Sequence, residues 1–252
     1  PMRQMMPFVM PTRSECLVFY EQVLDLSRAI PFIERWNENH DKISIFHLVL
    51  AGIARALHER PGLNRFVAGT RIYQRRKVEV AFVAKKVFQD GAALRTIKIE
   101  MPKAVSLPEL VGKTKAEVVE ARSDKQKPVD VEMHWLLKLP DFLLAGLLWF
   151  AKRLNAWNLF PYAMMRGDPF FSSIFVSNLG SLGIDRCWHH LFEFGTVSLF
   201  CAIGTAQKTV VVDEEGKPAV KPIVKLMYSF DDRINDGHYC VASLNLVKET
   251  VE

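Results

Sequence analysis

The chain has 252 residues, of which 49% are hydrophobic and 24% charged, and its formal net charge is +5. These values are ordinary for a globular protein, and the length is ample for a real core. The sequence contains no zinc-finger spacing, no aromatic-studded basic ribbon and no nucleic-acid module, so nucleic acid is not an expected partner.

The densest basic stretch is residues 71–77, which contains Arg71, Arg75, Arg76 and Lys77. We interpret this stretch as a solvated edge of the fold. A site for an anionic ligand is the alternative, because clustered cations also bind anions.

The four cysteines are Cys16, Cys187, Cys201 and Cys240. Their irregular spacing and the lack of a C-x-x-C motif indicate neither a disulfide framework nor a zinc site. The first residues show no signal-peptide pattern. We therefore expect reduced core thiols, no bound metal and a cytoplasmic protein.

The first predicted elements mix strands and helices. Residues 16–26 are predicted as a strand and residues 31–39 as a short helix. Ser44 is a suitable N-cap for a second helix, which Pro61 and Gly62 end.

The rest of the chain continues this mixture without a regular β-α-β period, which favours an α/β sandwich over a doubly wound sheet. No glycine-rich dinucleotide motif or P-loop occurs, so neither nucleotide chemistry is expected. The further predicted strands are residues 77–85, 93–99, 173–177, 196–203 and 223–230, with a hairpin at 209–221. Residues 107–122 are predicted as a helix, residues 237–248 as a closing helix or strand-helix, and residues 123–128 as a short linker.

The most apolar stretch is residues 135–151, in which residues 142–151 are uninterrupted by polar groups. This run is about half the length that spans a bilayer. We favour a buried or oligomer-facing helix. A lid over an acyl pocket is one alternative. Contact with a membrane surface through residues 135–160 is another, because Lys152 and Arg153 are followed by aromatic residues.

Three segments together resemble one known family. Residues 42–64 (KISIFHLVLAGIARALHERPGLN) are similar to its long helix and Pro-x-Leu-Asn turn. Residues 175–183 (FVSNLGSLG), followed by residues 195–204, resemble its Ser-Asn-Leu-Gly strand and turn. Residues 230–237 (FDDRINDG) resemble its His-x-x-x-Asp-Gly box. The family is the catalytic domain of 2-oxo-acid dehydrogenase acyltransferases, in the chloramphenicol-acetyltransferase-like superfamily.

The resemblance implies an α/β fold, a two-layer sandwich of a mixed sheet and helices that assembles as a trimer. It implies a single acyltransferase-like catalytic domain over residues 1–252, with an apolar helical insertion at about 128–168 that has no counterpart in the family. The active site would lie between subunits, where the box of one faces the serine of the next. A larger cage of trimers is also compatible with the family.

The implied activity is transfer of an acyl group between coenzyme A, bound as free CoA or acyl-CoA, and a thiol or other small acceptor. A histidine that opens the box takes the proton of the attacking thiol, the serine donates to the oxyanion, and the aspartate of the box makes an ion pair that fixes the loop. No metal and no lipoyl attachment within this chain are implied. The alternative is an inactive homologue that acts as an oligomeric scaffold or ligand-binding protein.

Matched residue by residue, Ser177 corresponds to the oxyanion donor, and Asp232 stands where the histidine is expected. Proton transfer from a thiol to a histidine is uphill by about 3 kcal/mol, and to an ordinary aspartate by about 6 kcal/mol. Asp232 is therefore a candidate base with a loop-capping or ion-pairing alternative. The remaining motif positions are Asn178, Gly180, Arg233, Asp236 and Gly237.

His189 and His190 lie between the serine turn and the next predicted strand. Paired histidines near an oxyanion donor can shuttle a proton, which makes both candidate catalytic residues. The alternatives are a polar rim or a hydrogen-bonded pair for the histidines, and a backbone-satisfying role at a strand end for Ser177.

Overall fold

The computed structural model describes residues 2–85, 94–122, 136–213 and 215–252. The predicted linker at 123–128 and residue 214 of the predicted hairpin turn lie outside these ranges. The helices are α1 (Met2–Val9), α2 (Ala29–Asn39), α3 (Ile45–Glu59), α4 (Leu107–Arg122), α5 (Asp141–Ala156), α6 (Tyr162–Gly167) and α7 (Gly237–Val251). The strands are β1 (Leu17–Asp25), β2 (Arg65–Ala68), β3 (Arg71–Gln74), β4 (Glu79–Lys85), β5 (Leu94–Glu100), β6 (Ile174–Asn178), β7 (Leu199–Ile203), β8 (Gln207–Val212) and β9 (Pro218–Asp231).

The described strands form one mixed sheet and one separate hairpin. The sheet has the order β1-β9-β7-β6-β4-β5, and β8 pairs with the first part of β9. Strand β6 runs parallel to both β4 and β7, whereas the other pairs are antiparallel. Strands β2 and β3 form the separate hairpin, which local sequence patterns did not predict.

Helices α2, α3, α4 and α7 cover one face of the sheet and enclose the larger core. Helix α3 buries Val49, Leu50, Ile53 and Leu57 on the face that helical spacing predicts. It lies so close to α7 that a Cβ at Gly52 would come within 3.1 Å of a side-chain atom of α7. The result is a sheet and a helical layer, in agreement with the predicted two-layer sandwich.

The opposite face of the sheet has a thinner cover. Residues 184–197 run along it, and Leu191 and Val197 pack there with Phe175 and Phe200. Beyond that cover, the side chain of Phe19 on β1 is 51% exposed. Apolar surface therefore remains open on this face within a single chain.

The predicted apolar helix forms as α5, but none of its residues is buried. Phe142 is 74% and Trp149 62% exposed, so the helix is not buried within a single chain, and the oligomer-facing alternative stays a prediction. The helix is fixed at its end, where Asn155 Nδ2 donates to the carbonyl of Gly195 (3.2 Å). No helix in the described ranges is long and apolar enough to cross a membrane.

Arg75 corrects the interpretation of the basic stretch as a solvated edge. Its guanidinium is enclosed and donates to the carbonyl oxygens of Phe171 and Thr196. The cysteines fit the expected pattern of free thiols, with Cys16, Cys201 and Cys240 buried. Cys187, in contrast, is half-buried rather than part of the core.

Candidate active site

Ser177 lies where two parallel strands separate. The pairing of β4 with β6 ends at Phe82 and Val176, whereas β6 continues to pair with β7 as far as Asn178. A cavity of about 780 Å³ opens beyond this point, and Ser177 lines it. The Ser177 hydroxyl makes no hydrogen bond to any described residue, so it is available to a ligand.

The walls of this cavity, which we call the Ser177 cavity, come from α3, α4 and the ends of β4 and β6. They are largely apolar, with Phe46, Phe82 and Val118 among them. The rim is basic: it carries Lys42, Lys115 and Arg122, and Asp41 pairs with Lys115 at 2.7 Å. An apolar chain ending in an anionic group therefore matches both parts of the cavity.

The turn after Ser177 is held by close backbone packing. A Cβ at Gly180 would come within 2.5 Å of the carbonyl oxygen of Gly204, which follows β7. Only glycine allows this approach without a shift of one segment. Ser181 Oγ also donates to the carbonyl of Asn178 (2.8 Å), while the side chain of Asn178 remains exposed.

The box at the end of β9 is organised by a buried ion pair. Arg233 donates from Nε to Asp231 Oδ1 and from Nη2 to Asp231 Oδ2, both at 2.8 Å. Cys16 Sγ donates to the same Oδ1 (3.1 Å). Burial and the adjacent Asp231 carboxylate raise the pKa of the Cys16 thiol to about 12, which keeps it protonated.

Asp236 has a different role from the one that the resemblance implied. Its carboxylate accepts a hydrogen bond from the backbone N–H of Tyr239 (2.8 Å) and so caps the N-terminus of α7. Its distance to Arg3 is 3.8 Å, and the Asp236 side chain is 58% exposed. The ion pair that fixes the loop is therefore made chiefly by Asp231. A Cβ on Gly237 would meet nothing within 4 Å, so packing in one chain does not require glycine there.

Asp232 is half-buried and is held by its backbone. Its N–H donates to the carbonyl of Cys16 (2.9 Å), and its own carbonyl accepts from Arg3 Nη1 (3.1 Å). Within the described residues, its carboxylate neither caps a helix nor forms an ion pair. The side chain is thus left available at the end of the loop.

One chain does not bring Ser177 and Asp232 together. Ser177 is level with Ala202 on β7, and Ala202 is level with Met227 on β9. Asp232 follows five residues after Met227, which corresponds to roughly 16 Å along an extended strand. The two candidate residues therefore lie toward opposite ends of the sheet.

His189 lies on the same face of the sheet as Ser177. Its ring stacks on Phe200 with centroids 4.1 Å apart, and Phe200 is level with Phe175 on β6. Because alternate residues share a face, Ser177 lies on the side of Phe175, roughly 7 Å further along the strand. Within one chain His189 therefore lies closer to Ser177 than Asp232 does, although His189 is not among the residues that line the Ser177 cavity.

The hydrogen bonds of His189 define its tautomer. Nδ1–H donates to the carbonyl of His190 (2.6 Å), which leaves a lone pair on Nε2. Burial lowers the pKa of His189, so the neutral form that can accept a proton is favoured. His190 stacks beside it at 4.7 Å and is more exposed.

His47 is a cavity residue to which sequence patterns assign no role. It lines the same cavity as Ser177, and its Nδ1 accepts from the backbone N–H of Ser44 (3.2 Å). The proton is therefore on Nε2, so neutral His47 is a donor and not a base. Helical spacing places His47 near the apolar face of α3, but it carries no information about a cavity formed with β6.

Comparison with known proteins points to the same family that the sequence motifs resemble. Residues 167–252 match the family model described as 2-oxoacid dehydrogenases acyltransferase (catalytic domain). The matched segment contains Ser177, both histidines and the whole box. No curated protein matches the chain in sequence.

Solved structures confirm the predicted chloramphenicol-acetyltransferase-like fold. A probable dihydrolipoamide acetyltransferase from Listeria monocytogenes 4b F2365 has a TM-score of 0.68 at 16% identity, over 99% of this chain and 88% of that one. The Azotobacter vinelandii dihydrolipoamide acetyltransferase, studied for the role of a serine, a histidine and an asparagine in its catalytic mechanism, has a TM-score of 0.67 at 14% identity, over 100% and 89%. A chloramphenicol acetyltransferase has a TM-score of 0.57 at 11% identity, over 94% and 89%.

Proposed function

We propose that this chain is an acyltransferase that moves an acyl group between coenzyme A and a thiol or other small acceptor. The observation that carries the proposal is the unengaged hydroxyl of Ser177 on the wall of the Ser177 cavity. The apolar walls suit an acyl chain and a pantetheine arm, and the basic rim suits the phosphates of CoA. The family match over residues 167–252 supports the same reaction class.

In the proposed reaction, His189 Nε2 removes the proton from the acceptor thiol, and the thiolate attacks the thioester carbonyl. Ser177 Oγ–H donates to the oxyanion that forms, a contribution of roughly 3–4 kcal/mol in comparable sites. The intermediate then collapses, the carbon–sulfur bond to CoA breaks, and the CoA thiolate recovers the proton from His189. No oxidant or metal is needed for this balance.

The separation of Ser177 from Asp232 favours a site completed by a second copy of the chain. A neighbour in a trimer would supply its box, with Asp232, to the Ser177 face. The open apolar surface around Phe19 is compatible with such a contact, because exposed apolar patches commonly mark interfaces. A trimer, or a cage built of trimers, remains part of the proposal.

A second candidate is a non-catalytic relative that binds a ligand or acts as a scaffold. One observation favours it: an aspartate occupies the position at which the family places its histidine. A carboxylate is a poor base for a thiol, since its ordinary pKa lies several units lower. Retention of Ser177 does not by itself exclude this candidate.

The experiment that separates the two candidates measures release of the CoA thiol from acetyl-CoA and longer acyl-CoAs, with small thiols and amines as acceptors. Acceptor-dependent release by the wild type, lost in His189→Ala, supports the acyltransferase with His189 as base. Loss in Asp232→Asn, with activity kept in His189→Ala, would assign the proton to Asp232. Absence of turnover with every donor and acceptor would favour the binding or scaffold role.

The shared site has a separate test, in which sedimentation and thiol release are followed together as the protein is diluted. Activity that disappears as the oligomer dissociates supports a site built from two chains. Full activity in a demonstrated monomer would contradict it.

A further inference from the structure

A second cavity of about 510 Å³ lies away from Ser177, and we call it the Arg75 pocket. It is bounded by the β2–β3 hairpin, the start of β4, the end of β5 and the segment from α5 to α6. Glu79 at the start of β4 lines it, whereas the Ser177 cavity begins at Phe82 on the same strand. The volume suits a small organic molecule.

The Arg75 guanidinium is enclosed and forms no ion pair with a carboxylate in the described ranges of the chain. Its Nη1 donates to the carbonyl of Phe171 (3.1 Å), and its Nη2 donates to the carbonyl and hydroxyl of Thr196 (2.6 and 2.8 Å). Its guanidinium carbon lies 4.6 Å from the ring centroid of Phe66. These partners satisfy hydrogen bonds but supply no negative charge, and buried charges are normally paired.

The Nε–H of Arg75 is the second sign of an incomplete site. This atom is buried and has no hydrogen-bond partner in the part of the chain that the structure describes. Burial lowers the pKa of Arg75 to about 9, and Glu79 offsets this only in part. A buried donor on an unpaired cation is a costly arrangement unless a ligand completes it.

Further cations surround the same space. The Lys98 side chain is only 7% exposed and has Glu79 at 3.4 Å. Arg76 and Arg166 are exposed and also line the pocket. Five basic side chains thus line the pocket with Glu79 as the acidic one, the five being Arg75, Arg76, Lys77, Lys98 and Arg166.

We propose that the Arg75 pocket binds the phosphate or carboxylate group of a small organic anion. Arg75 and Lys98 meet the anionic group inside the pocket, and Arg76 and Arg166 attract it at the surface. A guanidinium matches the geometry of either group through paired N–H donors. The apolar remainder of the molecule packs against Phe66, Tyr162 and Phe171, the aromatic residues that line the pocket. This binding does not depend on the acyl transfer proposed for Ser177.

The test measures binding of inorganic phosphate and of succinate by isothermal titration calorimetry. The variant is Arg76→Gln combined with Arg166→Gln, because both side chains are exposed and their replacement leaves the fold intact. The matched control is Arg71→Gln, an exposed arginine on the same hairpin that does not line the pocket. We expect the double variant to weaken binding by about tenfold or more and the control to bind like the wild type.

Arg75→Gln is a third variant, used if its melting transition shows that it folds, and it should abolish binding. Competition with CoA identifies the source of the anion. Displacement of phosphate by CoA would assign the pocket to a phosphate of CoA, and independent binding would assign it to a separate ligand. Equal affinity in the double variant and in Arg71→Gln, or no binding of either probe to the wild type, would overturn the proposal. Because binding is read without turnover, an inactive Ser177 site does not affect the result.

Discussion

Arg233 and Asp231 form a two-point ion pair whose side chains are only 2% and 1% exposed. The pair lies between the end of β9 and α7, beside the position at which the family carries its histidine. Arg233 also donates to the carbonyl of Met10 (2.8 Å), so the pair ties the N-terminal segment to the box. The loop that presents Asp232 is therefore fixed by buried electrostatics.

Asp231→Asn is expected to destabilise the protein by about 3–5 kcal/mol, because it leaves the Arg233 guanidinium buried without its counter-ion. Urea unfolding measures the loss. The control is Glu59→Gln, which removes an exposed ion pair with Arg55 at 2.9 Å and should cost less than about 1 kcal/mol. Equal effects of the two acid-to-amide changes would contradict a structural role for the buried pair.

Gly180→Ala is expected to cost about 1–3 kcal/mol, because the new methyl group would press against the carbonyl of Gly204. The measurement compares the melting temperatures of Gly180→Ala and Gly112→Ala with that of the wild type. Gly112 is an exposed position in α4 where a Cβ meets nothing within 4 Å, so alanine should stabilise the helix by roughly 0.5–1 kcal/mol. A neutral Gly180→Ala would show that the turn after Ser177 is not held by this contact.

The proposal that His189 is the base predicts how the rate of thiol release changes on the acid side of its pH profile. Burial holds the pKa of His189 below its ordinary value of 6.5, and the base is active only when neutral. Thiol release should therefore be constant at neutral pH and fall as the pH drops below that lowered pKa. His40→Gln, a change at an exposed histidine on another element, should keep the profile. A wild-type rate and an unchanged acid limb in His189→Gln would remove His189 from the mechanism.

Binding in the Arg75 pocket should weaken at high pH, because burial lowers the pKa of Arg75 and so makes its charge easier to lose than that of a free arginine. The neighbouring groups that act on Arg75 are Glu79, which raises its pKa, and Arg13, which lowers it. Burial also lowers the pKa of Lys98, so its titration acts in the same direction. Calorimetric titration with phosphate between pH 7.5 and pH 10 measures how the affinity of the pocket changes with pH. Affinity that stays constant through this range would show that no cation that titrates in this range contributes to holding the anion.

Elements with a strong local signal could be predicted from the sequence. Helix α3 was predicted from the spacing of its apolar residues and from Ser44 as its N-cap. The Ser44 side chain indeed takes part in a capping arrangement with His47. The Ser-Asn-Leu-Gly turn and the box could also be recognised in the sequence, because short backbone motifs require particular residues at fixed positions. These features were enough to identify the fold.

Features that depend on distant partners could not be predicted. Arg75 reads as a surface residue in its basic stretch, and only the approach of Phe171 and Thr196, about a hundred residues later, encloses it. The exposure of α5 is the opposite case. Its apolar run predicts burial or a contact with another subunit, but none of its residues is buried against the described part of this chain. Burial is a property of the assembled fold rather than of a local pattern.

The central claim is that the Ser177 hydroxyl stabilises the oxyanion during acyl transfer from CoA, and one comparison tests it most directly. Release of the CoA thiol is measured for the wild type, Ser177→Ala and Ser27→Ala, the last being an exposed serine in the turn after β1. We predict that Ser177→Ala lowers kcat by about 10²–10³-fold with an unchanged melting temperature, while Ser27→Ala matches the wild type. Equal turnover in Ser177→Ala and Ser27→Ala would contradict the account.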